Sequence, residues 1–291
     1  MSLPFRRAAV LGHPIAHSLS PVLHAAAYRA LGLDGWQYTA IDTTSEGLQD
    51  RVDDLDLTWA GLSLTMPLKQ TVIPMLGEVD AVAVGTGAVN TVVVRPSSCG
   101  MTLAGYNTDV HGIVTAVSEG LARQDGQGGA PVGRAVVLGA GATAASALAA
   151  LAELGCPSPR VLARSLARTS ALREAAARLG VSPTYGVLEP LSAVDPLAHA
   201  DVVVSTLPAH AADAVAETLR DRARGVPGVL LDVVYDPRPT ALARAWEDLG
   251  GVVVPGERML LHQAAHQVAL MTGRTAPVAA MDDALTAALA R

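Results

Sequence analysis

The feature that most constrains the fold is a glycine-rich turn near the middle of the chain. Residues 134–154, RAVVLGAGATAASALAALAEL, place a short apolar run before Gly139 and Gly141 and an alanine-rich helical pattern after them. With Ala144 the glycines form the pattern G-x-G-x-x-A. They permit a tight turn and the close approach of a pyrophosphate to the helix N-terminus. This strand, turn and helix predict dinucleotide binding; the alternative is a purely structural βα turn.

Alternating β-type runs and helical patterns surround this motif. In the second half, helical patterns separate the strand-like runs PRVLARS, ADVVVSTLP, GVLLDVVYDP and GVVVPGE, as in a doubly wound domain. In the first third, the runs RRAAVLG, WQYTAID, WAGLSLT, AVNTVVV and MTLAGYN predict a mostly parallel sheet. Two helical patterns close the chain, ERMLLHQAAHQVALMTG and the segment after Pro277.

These patterns predict an α/β protein of two domains, because 291 residues exceed one typical domain. The segment RQDGQGGAPVG, residues 123–133, has no apolar period and is interpreted as a linker or loop. We expect a mostly parallel α/β domain of residues 1–109 and 257–291, to which the closing helices return. Residues 110–256 are expected to form a Rossmann-like, doubly wound nucleotide-binding domain.

Composition restricts the partners and the compartment. The net charge is −6 without a basic block or stripe, which argues against nucleic acid and acidic membranes and favours a small-molecule ligand. The two cysteines, Cys99 and Cys156, lack metal-type and redox-type spacing, which fits a reducing cytoplasm. Gly12, His13 and Pro14 interrupt the N-terminal apolar run, so we expect neither a signal peptide nor a membrane-spanning segment.

The second strand of the nucleotide-binding series refines the cofactor. NAD sites usually carry an acidic residue near the end of this strand for the ribose 2′-hydroxyl, whereas arginine suits a 2′-phosphate. Here LARSLAR, residues 162–168, contains Arg164 and Arg168 and no carboxylate. Guanidinium groups make charge-assisted hydrogen bonds to phosphate. NADP is therefore predicted; the alternative is two solvated arginines at a helix start.

Lysine and asparagine are almost absent from the chain, which makes the positions that retain them informative. The single lysine is Lys69, in LSLTMPLKQT, and the asparagines are Asn90 and Asn107. Lys69 follows a strand that Pro67 ends, at the carboxyl edge where α/β proteins bind ligands. Asn90 and Asp109 also lie near strand ends. A cation, a carboxylate and an amide that converge on one cleft can form a proton-transfer set.

The segment GHPIAHSLSPVLH, residues 12–24, follows the first strand. Ser20 and Pro21 are predicted to be the N-cap and the first residue of a helix. The hydroxyls of Ser18 and Ser20, with the free N–H groups of that helix, can bind a small anion such as a carboxylate. Ordinary helix capping is the alternative interpretation.

Several segments, in the same order and at similar spacing, resemble motifs of the shikimate dehydrogenase family over nearly the whole chain. GHPIAHSLSPVLH resembles G-N-P-I-x-H-S-x-S-P-x-x-H, SLTMPLK resembles N-V-T-x-P-x-K, and GYNTDVHG resembles G-x-N-T-D-x-x-G. GAVNT is the same as a family segment, and GAGAT and ARSLAR replace G-A-G-G-A and N-R-T-x-x-R. DVVYDPRPT and MLLHQAAHQVALMTG resemble D-x-x-Y-x-P-x-x-T and the closing Q-A-x-x-x-F-x-x-W-T-G element.

This resemblance implies an NADP-dependent, reversible reduction of 3-dehydroshikimate to shikimate in aromatic amino acid (chorismate) biosynthesis, with substrate bound by the first domain. Lys69 and Asp109 would be the catalytic pair, and Lys69 would support proton delivery to the alkoxide that forms on hydride transfer from NADPH. Substrate would be bound by Ser18, Ser20, Thr65, Asn90, Asp109, Tyr235 and Gln263. The cofactor would be bound by Gly139, Ala140, Gly141, Ala142, Thr143, Arg164, Arg168, Thr206, Val233 and Gly256.

The chain departs from the family motifs at a few positions. Ser63 replaces the asparagine of N-V-T, and we expect water to compensate for its shorter side chain. Ala163 and Ser165 replace the asparagine and threonine of N-R-T, so the adenosine-phosphate contacts would depend on the two arginines alone. Val268 and Met271 replace the aromatic residues of the closing element, which should affect packing rather than chemistry.

Two other functions remain open. Quinate use in the family usually accompanies a threonine at the second hydroxyl of S-x-S and an acidic residue in place of the NADP-binding arginine, whereas this chain has Ser20 and Arg168. A non-catalytic nucleotide-binding sensor would not need both Lys69 and Asp109. We expect a monomer or a homodimer.

The closing helix raises two further alternatives. HQAAH, residues 262–266, has histidines at a metal-compatible spacing but lacks the glutamate of H-E-x-x-H, and no metal site is expected. Gln263, His266 and Gln267 share one helical face, so the alternative interpretation of Gln263 is a solvated polar stripe.

Overall fold

The computed structural model describes residues 5–98, 100–125 and 132–290. The chain forms two compact units: unit 1 consists of Met1–Thr108 and Leu260–Arg291, and unit 2 of Asp109–Met259. The chain therefore leaves unit 1, builds unit 2 and returns. The observed junctions follow residues 108 and 259. The predicted domain boundaries followed residues 109 and 256, so they differ by one and three residues.

Unit 1 contains a six-stranded sheet. Its N-terminal part forms β1 (Arg6–Gly12), α1 (Ser20–Ala30), β2 (Trp36–Asp42), α2 (Leu48–Asp53), β3 (Trp59–Leu64), α3 (Leu68–Thr71), β4 (Glu78–Val79), α4 (Ala81–Thr86), β5 (Thr91–Ser97) and β6 (Gly100–Tyr106). The strand order is β2-β1-β3-β5-β6-β4. Only β5 pairs antiparallel with its neighbours, β3 and β6, so five of the six strands share one direction. The predicted mostly parallel sheet is confirmed.

Unit 2 contains a second six-stranded sheet, in which every pairing is parallel. Its elements are α5 (Asp109–Asp125), β7 (Ala135–Leu138), α6 (Ala142–Glu153), β8 (Arg160–Ala163), α7 (Ser170–Leu179), β9 (Thr184–Val187), α8 (Pro190–Ala198), β10 (Val202–Ser205), α9 (Asp213–Arg222), β11 (Val229–Asp232), α10 (Ala241–Asp248) and β12 (Val252–Pro255). The order β12-β11-β10-β7-β8-β9 places β7 and β10 side by side, where the chain changes direction. This is the doubly wound topology that the sequence predicts.

The last two helices are α11 (Gly256–Thr272) and α12 (Val278–Leu289). In unit 1, Leu261 and Val268 of α11 pack with Leu23 of α1 and Leu285 of α12 on one face of the sheet. A separate apolar cluster, which includes Leu62 and residues of α2 and α3, covers the other face. Among the described residues, no helix is both long and apolar enough to cross a bilayer.

Some elements differ from the sequence-based assignment. The predicted strand AVNTVVV begins three residues later, at Thr91, because residues 88–90 form the connection from α4. The periodicity of apolar residues in the sequence also failed to predict β4, α4, β9 and α8. β4 has two residues, β9 is an edge strand that contains Gly186, and α8 contains Pro196, so each lacks a strong periodic signal.

Candidate active site and cofactor site

One edge of the unit 1 sheet gathers most of the predicted substrate residues. β1, β3 and β6 end at this edge, and the antiparallel β5 begins there, since Ser63 pairs with Thr91 and Thr91 pairs with Tyr106. Thr65 follows β3 and Asn90 precedes β5. The geometry thus explains why an asparagine before a strand and a threonine after another reach the same edge.

Ser18 and Ser20 follow β1, but their capping differs from the prediction. α1 begins at Ser20, so Leu19 is the N-cap and Pro21 is the second helical residue. The Ser18 hydroxyl accepts a hydrogen bond from the Ser20 backbone N–H at 3.3 Å, and the N-cap Leu19 makes no side-chain capping hydrogen bond. Ser20 is buried, whereas Ser18 is half-buried.

The loop after β3 holds Thr65 and leads directly to Lys69. The Thr65 N–H donates to the Leu11 carbonyl at 2.9 Å, which fixes this loop against the end of β1. Lys69 is the second residue of α3 and is half-buried. Its backbone carbonyl accepts from the N–H of Val89 at 2.8 Å, so the lysine backbone lies beside the residue that precedes Asn90.

Asn90 and Gln263 are joined in a buried polar cluster. The Asn90 Oδ1 accepts from the Thr108 N–H and from the Thr91 hydroxyl, each at 2.8 Å. This fixes the amide orientation and turns Nδ2 toward the Gln263 Oε1, at 3.4 Å. The Gln263 Nε2 donates to the Leu260 carbonyl at 2.9 Å. Gln263 is 7% exposed, so the alternative of a solvated stripe is wrong.

Asn107 and Asp109 flank Thr108, where the chain passes from unit 1 to unit 2. The Asn107 Nδ2 donates to the Thr86 hydroxyl at 2.9 Å and the Ala88 carbonyl at 3.0 Å, which anchors the connection between α4 and β5. Asp109 is buried and is the first residue of α5, where the helix dipole stabilises a carboxylate.

Four further polar residues of unit 1 were not predicted as site residues. The Tyr38 hydroxyl donates to the Ser63 Oγ at 2.7 Å, and the Ser63 hydroxyl donates to the Gln267 Oε1 at 2.8 Å. The Gln267 Oε1 also faces the His24 Nε2 at 3.2 Å. Ser63 therefore has two protein partners inside unit 1. The one sequence signal was the four-residue spacing between Gln263 and Gln267.

His24 is the fourth member of this cluster. Its ring stacks on Tyr38 with centroids 3.8 Å apart, and burial lowers its pKa from 6.5 to about 3. The ring is therefore neutral at physiological pH. No group of three or more histidine, cysteine, aspartate or glutamate side chains suited to a metal ion occurs within residues 5–98, 100–125 and 132–290. Cys99 lies outside these ranges.

In unit 2, the predicted cofactor residues follow the strands at one edge of the sheet. The first residues after β7, β8, β10, β11 and β12 are Gly139, Arg164, Thr206, Val233 and Gly256. Because all these strands are parallel, their carboxyl ends lie at the same edge. In an open α/β sheet this edge, near the switch point, is where nucleotides bind.

The glycine-rich turn is tight and leaves the N-terminus of α6 open. Gly139 has φ 112°, and a Cβ there would collide with Thr206. Thr206 is itself fixed by its hydroxyl, which donates to the Leu138 carbonyl at 2.9 Å. A Cβ on Gly141 would meet no atom within 4 Å, so the space above this helix N-terminus is open. Ala140, Ala142 and Thr143 beside it are half-buried.

Arg164 and Arg168 lie after β8, on the exposed side of the turn that leads to α7. Among the described residues, neither guanidinium forms an ion pair with a carboxylate. Two exposed cations without acidic partners, beside an open helix N-terminus, fit a dinucleotide that carries an additional phosphate.

The loop after β11 carries Val233 and Tyr235, and Gly256 at the start of α11 packs against its first residue. Gly256 needs to be glycine because a Cβ would collide with the Val233 carbonyl. Tyr235 is half-buried, and burial raises its pKa above the usual value. The loop is held by Asp232, whose Oδ2 accepts from the Thr240 hydroxyl at 2.7 Å; burial also raises the pKa of this carboxyl group.

Comparison with known proteins agrees with the motifs. A family model described as the shikimate dehydrogenase substrate binding domain matches residues 10–92, and one described as the shikimate 5′-dehydrogenase C-terminal domain matches residues 256–286. The shikimate dehydrogenase (NADP(+)) of Moorella thermoacetica is 37% identical over 97% of this chain and 92% of its own length.

Solved structures are similar over the same extent. The crystal structure of Mycobacterium tuberculosis shikimate dehydrogenase has 40% identity and a TM-score of 0.84, and the match covers 97% of this chain and 99% of that chain. The Thermus thermophilus shikimate 5-dehydrogenase, in complex with NADP(H) and shikimate, has 32% identity and a TM-score of 0.77, over 98% and 100% of the two chains. At this identity over nearly its whole length, the chain belongs to the shikimate dehydrogenase family.

Proposed function

We propose that this protein catalyses the NADP-dependent, reversible reduction of 3-dehydroshikimate to shikimate, an oxidoreductase reaction at a CH–OH group. The observation that carries this proposal is the gathering of Ser20, Lys69 and Asn90 at one sheet edge of unit 1. Their hydroxyl, ammonium and amide groups match a substrate with one carboxylate and several ring oxygens. The relatives bearing this activity in their names support the same conclusion.

The substrate would be held by unit 1 through two sets of groups. Ser18 and Ser20, at the N-terminus of α1, provide hydroxyls for the carboxylate. Thr65, Asn90 and Gln263 address the ring hydroxyls. The buried amides of Asn90 and Gln263 are already oriented by their hydrogen bonds, so little ordering is needed on binding. Asp109 and Tyr235 are the further substrate contacts in this proposal.

Lys69 and Asp109 would perform the proton chemistry. When NADPH transfers hydride to the ketone carbon, negative charge develops on the ketone oxygen. A lysine ammonium can stabilise that charge and deliver a proton to the oxygen, and an adjacent carboxylate can orient the ammonium. Variants of Lys69 test its part in this proton transfer.

NADP would be bound by unit 2. Gly139, Gly141 and the N-terminus of α6 would accept the pyrophosphate, and Arg164 and Arg168 the 2′-phosphate. Ala140, Ala142, Thr143, Thr206, Val233 and Gly256 would line the remainder of the cofactor site. We further propose that the enzyme acts in the cytoplasm, in aromatic amino acid biosynthesis, as a monomer or a homodimer.

The decisive experiment is a matrix of shikimate and quinate against NADP+ and NAD+, with kcat/KM measured for each pair. We expect the highest value for shikimate with NADP+. Quinate with NAD+ as the best pair would instead identify a quinate dehydrogenase, and no turnover with any pair would favour a nucleotide-binding sensor.

The cofactor assignment is tested by replacing Arg164 with alanine. Loss of a charge-assisted contact to phosphate should reduce kcat/KM for NADP+ by about 10- to 100-fold and leave that for NAD+ unchanged. Arg178→Ala, at the other end of α7, is the matched control. An unchanged ratio of NADP+ to NAD+ efficiency in Arg164→Ala would contradict the 2′-phosphate role.

A further inference from the structure

Glu257, in the first turn of α11, has a carboxylate that the protein satisfies on one side only. Its side chain is 13% exposed, and Oε1 lies 3.6 Å from the Arg238 Nη1. Oε2 is buried, and no donor among the described residues contacts it. A buried carboxylate oxygen is normally paired, because leaving water without gaining a donor is costly. This oxygen therefore indicates a position that accepts a hydrogen bond from a ligand.

The helix dipole gives Glu257 a simpler role, which does not explain its environment. A carboxylate in the first turn interacts favourably with the N-terminal end of a helix. That interaction does not require burial, because an exposed glutamate provides it as well. The dipole thus explains why a carboxylate is tolerated at this position, but not why one of its oxygens is withdrawn from water.

The topology of unit 2 indicates which end of a dinucleotide would lie near Glu257. In the order β12-β11-β10-β7-β8-β9, the glycine turn proposed for the pyrophosphate follows β7. Arg164 and Arg168, proposed for the 2′-phosphate, follow β8 on one side of that turn. The nicotinamide then extends to the other side, toward the carboxyl ends of β10, β11 and β12. Glu257 is the second residue after β12.

Two contacts fix Glu257 beside the loop that follows β11. The preceding residue, Gly256, packs so closely on this loop that a Cβ would collide with the Val233 carbonyl. Arg238, from the same loop, forms the ion pair with Glu257. The carboxylate is therefore adjacent to the two positions, Val233 and Gly256, that are proposed to line this end of the cofactor site.

The nicotinamide group has two properties that suit a carboxylate. Its carboxamide NH2 donates hydrogen bonds, and its ring is positively charged in NADP+ but uncharged in NADPH. We propose that Glu257 is a cofactor-binding residue whose carboxylate accepts a hydrogen bond from the nicotinamide carboxamide and favours the oxidised cofactor over the reduced one. This inference rests on the assignment of NADP to unit 2 in the proposed function.

The test compares Glu257→Gln with the wild type in the binding of three ligands, measured by calorimetry without shikimate. Glutamine retains an oxygen that can accept from the carboxamide but removes the negative charge. We expect Kd for NADP+ to rise about five- to 20-fold, because a charge attraction is lost, and Kd for NADPH to rise by less than about threefold. Kd for 2′-phospho-ADP-ribose, which lacks the nicotinamide, should be unchanged.

Arg238→Gln should have the opposite effect on cofactor preference. The Arg238 guanidinium partly offsets the charge of Glu257, so its removal should lower Kd for NADP+ relative to that for NADPH by about two- to fivefold. If the ion pair only maintained the loop, both variants would shift the two affinities alike, since each of them breaks it.

Glu247→Gln is the matched control. Glu247 is an exposed carboxylate near the end of α10, which leads from the carboxyl end of β11 to the amino end of β12. It therefore lies at the opposite edge of the same sheet, and its removal should leave all three dissociation constants at their wild-type values.

The outcomes separate this inference from the proposed function. If Glu257→Gln leaves the ratio of the NADP+ and NADPH dissociation constants unchanged, or weakens 2′-phospho-ADP-ribose as much as NADP+, the role of Glu257 is wrong. A shift of Arg238→Gln in the same direction as Glu257→Gln has the same meaning. In each case the proposed function stands if the wild type turns over shikimate with NADP+. A wild type that binds neither form of NADP would overturn both.

Discussion

At the residue scale, Lys69 is the side chain on which the proposed chemistry depends most. Replacing it with arginine retains a positive charge, but a guanidinium does not release its proton at physiological pH, and its planar fork is broader than an ammonium. We expect both Lys69→Arg and Lys69→Ala to reduce kcat by about 100-fold or more, the usual contribution of a positioned acid–base group.

The kinetic partition distinguishes catalysis from binding. A fall in kcat with a modest change in KM for shikimate supports proton transfer, whereas a loss expressed through KM alone would mean that Lys69 only binds. Arg95, an exposed cation on β5, offers a control: Arg95→Ala removes a positive charge from the same unit and should leave kcat unchanged.

His24 makes a second residue-scale prediction, which concerns stability. Burial depresses its pKa from 6.5 to about 3, so below pH 6.5 the unfolded chain takes up a proton that the folded protein does not. Above pH 6.5 the buried, neutral imidazole does not reduce the free energy of unfolding. That free energy then falls as the pH drops from 6.5 toward 3. From pH 7 to pH 5 this histidine should lower the free energy of unfolding by about 2 kcal/mol.

Urea denaturation at several pH values measures this effect. His24→Phe keeps a ring against Tyr38 but cannot titrate, so its free energy of unfolding should fall by about 2 kcal/mol less over the same interval. The control is His17→Gln, because His17 is exposed. Equal pH dependence in wild type and His24→Phe would show that His24 does not cause the loss.

At the scale of elements, the packing of α5 on the unit 2 sheet depends on a glycine. A Cβ on Gly120 would lie 2.5 Å from a Val229 methyl group and 2.6 Å from a Val254 methyl group. Alanine normally stabilises a helix interior by about 1 kcal/mol relative to glycine, but overpacking costs about 1–3 kcal/mol. Because strand valines are stiff, we expect Gly120→Ala to destabilise by about 1 kcal/mol.

Thermal or urea unfolding of Gly120→Ala tests this packing. Ser118→Ala, on the exposed face of the same helix, isolates helix propensity from packing and should be neutral or slightly stabilising. A stability gain in both variants would indicate that the helix is not in tight contact with β11 and β12.

At the scale of the whole molecule, we predict that the two ligands protect different segments of the chain. Hydrogen exchange followed by mass spectrometry should show that NADP+ alone protects segments of unit 2 around residues 139–144 and 164–168. Shikimate alone should protect unit 1 around residues 18–20 and 63–69. Ligand at 100 times its Kd stabilises the bound state by about 2.7 kcal/mol, which is enough to slow exchange about 100-fold where local opening requires release. Protection of residues 139–144 and 164–168 by shikimate alone, or of residues 18–20 and 63–69 by NADP+ alone, would contradict the proposed roles of these segments.

Sequence patterns predicted much of the fold because the relevant signals are local. Gly139 and Gly141 between a strand and a helix predict the doubly wound unit, and the structure confirms it. The same local reasoning failed at α1, where it made Ser20 the N-cap, whereas the helix begins at Ser20 and Leu19 is the N-cap. It also missed β9 and α8, whose glycine and proline weaken the periodic signal.

The sequence by itself determined the class of fold, the glycine turn and the few positions where lysine and asparagine persist, since each of these is a property of neighbouring residues. The tertiary structure alone decided which polar groups meet. Ser63 and Gln267 are 204 residues apart, and they touch because α11 returns to the sheet of unit 1. A local pattern contains no information about such a contact, so the buried partners of Ser63 and Asn90 became visible only when the strands and helices were assembled.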